Sequence, residues 1–188
     1  MMSLDACLSA LAKHHRDEVV VAAYQGGFAW TRIHPHPLNC ISVGAMGLAS
    51  SLALGIAIGR PDKRVIVLDG DGSLIMNLGT LVTIAEAAPA NLLHFVCENG
   101  QYESNGGHPI PGKGRLSFAG MARAAGYRYC AEFDDVTAFE AEIGAILKMA
   151  GPVFVTLKVA SDTAPTTEFS EVHGAAARNA FKAALNAV

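Results

Sequence analysis

Residues 65 to 107, VIVLDGDGSLIMNLGTLVTIAEAAPANLLHFVCENGQYESNGG, constrain this chain more tightly than any other stretch. They open on Val65-Ile66-Val67-Leu68, an apolar run with the length and β-branched content of a strand buried on both faces of a parallel sheet. The run stops at Asp69-Gly70-Asp71-Gly72-Ser73, where two glycines around an aspartate allow a tight turn and a close approach of backbone to ligand. Leu74, Leu78, Leu81, Val82 and Ala85 then recur at spacings of three and four, which predicts a helix. A second apolar run, Leu92 to Cys97, leads into Glu98-Asn99-Gly100. A strand-helix-strand unit of this kind puts Asp71 and Asn99 at the tips of neighbouring strands, on the edge where open α/β sheets bind ligands.

Asp71 offers a carboxylate and Asn99 an amide oxygen, hard ligands suited to Mg²⁺ rather than Zn²⁺. Mg²⁺ is usually held by one or two protein groups, with phosphate oxygens and water filling the octahedron. Gly72 and Ser73 present backbone N–H groups at a helix start, an anion cradle. Metal and cradle together describe a diphosphate site. No Gly-x-Gly-x-x-Gly opens a helix and no Gly-Lys-Ser/Thr follows a glycine loop, so the dinucleotide and Walker alternatives lack their residues.

The rest of the chain repeats the same alternation. Residues 3 to 15 form an amphipathic pattern with Ser3 as N-cap, and Val19 to Ala23 are a first buried strand. Tyr24 to Phe28 read as the next loop at the ligand edge, where Gln25, Gly26 and Gly27 are candidate phosphate contacts. Thr31 to Cys40 are irregular by their prolines, and His34 and His36 read as exposed loop residues, since no third and fourth metal ligand stand at suitable spacing. Residues 41 to 59 carry no charge, but their glycines and serines and the charged turn that follows argue for a buried helix, Met46 to Ile58, capped by Gly59, rather than a membrane span.

Gln101 to Arg115, with four glycines and two prolines, form a long loop facing the ligand edge, a placement that favours function. Tyr102, Glu103, Ser104, Asn105 and His108 lie within it, and Glu103 and His108 are candidate proton donors. Phe118 to Ala125 is a helix closed by Gly126, Tyr127 to Ala131 a strand, and Asp134 or Asp135 caps a further helix. A strand from Val153 to Val159 and a last helix from Glu171 to Ala187 complete the pattern.

Throughout, strands alternate with helices, which implies a three-layer α/β fold, a doubly wound parallel sheet with helices on both faces, in a single domain of residues 1–188. Net charge is −3 without a basic run, which gives no footprint for nucleic acid or anionic membranes. Four scattered cysteines and a charged N-terminal segment fit a cytoplasmic protein with reduced thiols. Hydrophobic residues reach 51 % and charged ones 16 %, so some of the surface is expected to be covered by other subunits.

The spacing from Gly70-Asp71-Gly72 to Asn99, with residues 73 to 98 between, resembles the signature of the thiamine diphosphate (ThDP) enzymes. Gly44-Ala45-Met46-Gly47 is similar to the same family's segment beneath the thiazolium ring, and the wider run looks closest to sulfopyruvate and phosphonopyruvate decarboxylases. The resemblance implies ThDP and Mg²⁺ as cofactors, the metal held by Asp71, Asn99 and the Gln101 carbonyl. It implies that Gly44, Ala45, Met46, Gly70, Gly72, Ser73 and Tyr102 touch the cofactor, with Met46 enforcing its bent shape. Asn105 stands where some simple 2-keto acid decarboxylases carry a catalytic Glu, and fits the sulfo- and phosphonopyruvate type instead.

The family's activating Glu belongs to a separate pyrimidine-binding domain, for which this chain has no room. The resemblance therefore implies a β-type subunit completed by an α-type partner, decarboxylating a 2-keto acid to an aldehyde. Lys113, Arg115 and Arg32 are candidate cations for an anionic substrate tail. Another ThDP chemistry, carboligation or oxidative decarboxylation, and a non-catalytic ThDP-binding subunit are the alternatives.

Overall fold

The computed structural model describes residues 1–42, 46–161 and 172–187. In chain order these form α1 (Leu4–Ala12), β1 (Val19–Ala23), α2 (Tyr24–Ile33), β2 (Asn39–Ser42), α3 (Ala49–Gly59) and β3 (Val65–Gly70). There follow α4 (Asp71–Ile75), α5 (Gly79–Ala87), β4 (Leu92–Glu98), β5 (Gln101–Tyr102), a 3₁₀ turn (Glu103–Asn105) and β6 (His108–Pro109). The chain continues through α6 (Phe118–Ala125), β7 (Tyr129–Phe133), α7 (Val136–Ile146), β8 (Val153–Lys158) and α8 (Ala175–Asn186).

Six strands pair in the order β2-β1-β3-β4-β8-β7, every pair parallel. Helices cover both faces, which is why the central strands read as unbroken apolar runs rather than alternating ones. On one face Leu8 and Leu11 of α1, Trp30 of α2 and Phe139 and Ile143 of α7 bury against Val20, Ile66, Phe95 and Val155. On the other, Ala53 of α3, Leu81 and Ile84 of α5 and Phe118 of α6 meet Val21, Val67, Val96 and Phe154. Each fully buried side chain of this size is worth about 1.5–3 kcal/mol over its exposed state, so neither layer is dispensable.

The strand order creates the site. From β1 the chain steps outward to β2 and then returns across β1 to β3. The carboxyl ends of β1 and β3 therefore diverge into the crevice where doubly wound sheets bind ligands. Register places Gly70 of β3 beside Cys97 of β4, so Asp71 and Asn99 do leave neighbouring strand tips.

Several local expectations are corrected. Tyr24 to Phe28 is no loop but the start of α2, entered through Tyr24 at φ 38°. A Cβ on Gly27 would lie 2.9 Å from Ile41 Cγ2 and 3.3 Å from the Ala22 carbonyl, so Gly27 is a packing glycine that lets α2 press on the sheet. The irregular segment expected from Thr31 to Cys40 is shorter, with α2 running to Ile33 and Asn39–Ser42 forming the edge strand. The buried helix starts at Ala49 rather than Met46, and Gly59 is its last residue rather than a left-handed cap.

The helix expected from Leu74 to Ala85 is two helices, because the loop at Gly47 is wedged against their junction. Gly47 N–H donates to Ser73 Oγ at 2.9 Å, and Asn77 Nδ2 donates to the Gly47 carbonyl at 3.0 Å. Strand β7 lies two residues later than expected, α1 stops at Ala12, and Ser3 makes no side-chain cap. Asp135 does cap α7, accepting from Ala138 N at 2.9 Å. Gly44, Ala45 and Glu171 fall outside the described residues.

His34 and His36 are half-buried, stacked 5.9 Å apart against a buried His15 that sequence reasoning passed over. His15 Nε2 lies 2.9 Å from the Glu18 carbonyl, which can only accept, so its Nδ1 accepts from His34 Nε2 at 3.0 Å. Burial lowers the pKa of His15 and of His36 from 6.5, aided by the neighbouring imidazoles and opposed by Glu18. The unfolded chain therefore takes up these protons first: their stability is complete above about pH 6.5 and is lost as pH falls through the window below it, at up to about 1.4 kcal/mol per pH unit and proton. Urea unfolding followed through Trp30, the sole tryptophan and 5.6 Å from His15, is expected to show this loss between pH 7 and pH 5, and His15→Gln to flatten it.

Candidate functional site

A pocket opens at the carboxyl edge between β1, β3 and β4. It is lined by Gln25 and Gly26 at the start of α2, Met46, the turn Asp69 to Ser73, and Asn99, Gln101, Tyr102 and Glu103 beyond β4. The structure thus brings together the sequence-derived candidates Gln25, Gly26, Met46, Gly70, Asp71, Gly72, Ser73, Asn99, Gln101, Tyr102 and Glu103. Two candidates stand elsewhere. Gly27 is buried between α2 and the sheet, and His108 is exposed on the outer strand of the β5–β6 hairpin, opposite Tyr102.

Asp71 is only 2 % exposed. Its Oδ1 accepts from Gly72 N at 2.8 Å and its Oδ2 from Gly100 N at 2.6 Å, so one carboxylate ties the two strand tips together. Burial raises its pKa, opposed by those backbone donors. Each oxygen keeps a further lone pair. Asn99 Oδ1 accepts from Gln101 N at 3.0 Å, and its Nδ2 donates to Glu103 Oε2 at 3.1 Å. That second bond fixes which way the amide faces. Glu103 Oε1 in turn accepts from Ser161 Oγ at 2.8 Å. Glu103 is therefore engaged in orienting Asn99 rather than standing free as a proton donor.

Gln101 sits opposite Pro109 in the hairpin, and proline has no N–H to engage the Gln101 carbonyl. The pocket thus offers a carboxylate, an amide oxygen and a peptide carbonyl, an all-oxygen set suited to a hard divalent cation. No group of three or more His, Cys, Asp or Glu among the described residues could hold a metal, so the softer alternatives have no site there.

The anion cradle differs from expectation. The Gly72 N–H is turned to Asp71 Oδ1, and a Cβ on Gly72 would meet the Tyr102 ring at 2.6 Å. Gly72 is needed so that the hairpin can close over the turn. The opposite wall is the start of α2, whose first-turn residues Gln25 and Gly26 line the pocket, and Gln25 Oε1 is buried without a hydrogen-bond partner. A helix start of this length presents free N–H groups to an anion.

Of the candidate cations, Arg32 is bound to Asp5 at 2.7 and 2.8 Å. Lys113 lays its methylenes over Gly100, the residue that donates to Asp71, while Arg115 is exposed. Sequence reasoning missed Asp69, which also lines the pocket; a charged residue closing an otherwise apolar buried run was the available signal.

Residues 20–157 match the sequence family described as the thiamine pyrophosphate enzyme, C-terminal TPP binding domain. This chain belongs to that family. The phosphonopyruvate decarboxylase of Streptomyces hygroscopicus is 38 % identical over 120 residues, 62 % of this chain and 29 % of that protein. The sulfopyruvate decarboxylase subunit beta of Methanothermobacter thermautotrophicus is 36 % identical over 127 residues, 68 % of this chain and 65 % of that subunit.

The chain therefore spans under a third of the first relative and just under two-thirds of the second. The benzoylformate decarboxylase of Polynucleobacter necessarius shares the fold, with a TM-score of 0.74 over 86 % of this chain and 34 % of that one at 17 % identity. The family resemblance read from Gly70-Asp71-Gly72 and Asn99, and the parallel α/β fold expected with it, are both borne out.

No helix among the described residues is long and apolar enough to cross a membrane, and the described part of the uncharged stretch from 41 to 59 holds the end of β2 and the 11-residue α3. All four cysteines are free.

Proposed function

We propose that this chain is the diphosphate-binding subunit of a ThDP- and Mg²⁺-dependent decarboxylase acting on a 3-substituted pyruvate, completed by a pyrimidine-domain partner. The observation that carries the proposal is the convergence of Asp71, Asn99 and Gln101 on one pocket at the β1–β3 crevice, facing the start of α2. Relatives named as phosphonopyruvate decarboxylase and as a beta subunit of sulfopyruvate decarboxylase support the substrate class and the split architecture.

In this reading Asp71, the Asn99 amide oxygen and the Gln101 carbonyl hold Mg²⁺. The N–H groups of Gln25 and Gly26 receive the diphosphate from across the pocket. Ser73 stiffens the far side, its hydroxyl taken by the Gly47 N–H. Met46, in the pocket wall, backs the cofactor's ring. Glu103 keeps the Asn99 oxygen turned inward. Bound ThDP supplies the electron sink for cleaving the bond between the keto carbon and the carboxylate. Lys113, beside the site, is the cation of this chain best placed for an anionic substrate tail.

Purified alone and loaded with ThDP and Mg²⁺, the chain is expected to release no CO₂ from sulfopyruvate or phosphonopyruvate. Added to a pyrimidine-domain partner it is expected to give CO₂ and the aldehyde. Full turnover by the isolated chain would overturn the split site. A hydroxyketone product would overturn the decarboxylase in favour of a carboligase.

A further inference from the structure

Below the pocket, on the face covered by α5 and α6, two charged-type side chains are fully buried beside each other. Asp69 closes β3 and lines the pocket; His94 lies in the middle of β4 with no side-chain exposure. Asp69 Oδ1 accepts from Gly70 N at 2.9 Å, bracing the turn that carries Asp71. Its Oδ2 and His94 Nε2 stand 3.7 Å apart, and neither atom has another hydrogen-bond partner. His94 Nδ1 is 3.2 Å from the Tyr127 hydroxyl, and the ring is walled edge-on by Phe154 at 5.0 Å between centroids.

A buried carboxylate oxygen without a donor is costly, and so is a buried ring nitrogen without a partner. Each is the group facing the other. The arrangement forms one line: Tyr127 holds the imidazole, the imidazole faces Asp69, and Asp69 holds Gly70, next to Asp71. It also sets an imidazole behind Asp69, an acid of this pocket that is not among the metal donors and would repel a diphosphate.

We propose that His94 is a positioning residue for the metal site, acting through Asp69 to fix the Gly70–Asp71 turn against the incoming Mg²⁺–diphosphate. This rests on the cofactor reading above. Partners one step removed from a metal ligand orient it, and their loss typically costs about 10- to 100-fold in metal affinity.

Two substitutions separate positioning from mere filling of the core. In His94→Gln the side-chain amide nitrogen reaches the place of Nε2 and keeps a donor toward Asp69. In His94→Asn it reaches only the place of Nδ1, toward Tyr127. Both leave a polar group in an apolar layer, so a purely structural role predicts equal damage. We expect both chains to lose thermal stability while Mg²⁺ affinity, measured by calorimetric titration of Mg²⁺ into chain with ThDP, divides them.

His94→Gln is expected to stay within about threefold of the wild type and His94→Asn to weaken by about 10- to 100-fold. Tyr127→Phe, which keeps the packing, is expected to weaken Mg²⁺ binding by a few-fold, roughly the loss of one hydrogen bond, and it serves if both His94 variants fail to fold. Equal Mg²⁺ affinity in the Gln and Asn variants, or an unaffected Tyr127→Phe chain where those do not fold, overturns the positioning role and leaves the cofactor reading standing. No binding to the wild-type chain under the same titration, alone and with its pyrimidine-domain partner, removes both.

Discussion

Asp71→Ala is expected to weaken Mg²⁺-dependent ThDP binding by about 150- to 5,000-fold, since removing one charged partner of a buried ion contact costs roughly 3–5 kcal/mol. The reason lies in what Asp71 does twice over. It is the only carboxylate among the proposed metal donors, and its two oxygens also hold the N–H groups of Gly72 and Gly100, one on each strand tip.

Asparagine does not repair the loss. An amide offers one oxygen, so its NH₂ would face a backbone N–H where the carboxylate accepted, at a cost of about 1–3 kcal/mol for the unmet donor. Asn99→Ala, which removes a neutral ligand, is expected to cost less, about tenfold. Calorimetry at fixed Mg²⁺ gives the affinities, and circular dichroism confirms that each variant is folded. Binding by the Asp71→Ala chain at wild-type affinity would remove Asp71 from the metal site and leave the all-oxygen pocket without its charge.

The strand-turn-helix from Val65 to Leu74 was legible because its physics is local: a run buried on both faces must be apolar, and a backbone that turns sharply beside a ligand must shed side chains. Asn99 was legible for the same reason, at the tip of a second such run. What was not legible is what tertiary contact decides. Gly26-Gly27 reads as a breaker by propensity. The structure makes it the first turn of α2, because Gly27 is the one residue small enough to pass Ile41 and the Ala22 carbonyl.

The break between α4 and α5 left no gap in the apolar period, since its cause lies in another segment, the Gly47 loop bound to Ser73 and Asn77. The sequence pattern puts Tyr127 at the head of a strand, whereas the strand begins at Tyr129 and Tyr127 lies before it, buried beside His94. Its loop position makes Glu103 a candidate acid in the sequence, and only its two partners, Asn99 and Ser161, show what holds it. Pair partners across the fold carry no trace in sequence spacing. Strand order is invisible for the same reason, yet it is what creates the crevice.

Gly72→Ala is the sharpest test of how the hairpin and the metal turn fit together. The added methyl would lie 2.6 and 2.9 Å from two Tyr102 ring carbons and 3.5 Å from Ile110. The close atoms are Cδ1 and Cε1 of the ring rather than the far end of a flexible side chain, and the Tyr102 backbone is held in the hairpin: it pairs with His108, its carbonyl accepts from Gly107 N at 3.0 Å, and Ile110 N donates to the Gly100 carbonyl at 3.2 Å. Relief must come from moving the hairpin, which carries the Gln101 carbonyl.

Overpacking of this kind costs about 1–3 kcal/mol, which in affinity is roughly 5- to 150-fold, and in a chain of this size about 2–4 °C of melting temperature per kcal/mol. The cause is checked by a second change. Tyr102→Ala vacates the space, so the double variant is expected to bind Mg²⁺ and ThDP better than Gly72→Ala alone, a coupling energy of about 1 kcal/mol or more between residues 30 apart in sequence. Simple additivity of the two losses would show that the close approach of Tyr102 to Gly72 has no part in shaping the site, and that Gly72 matters only through its own backbone.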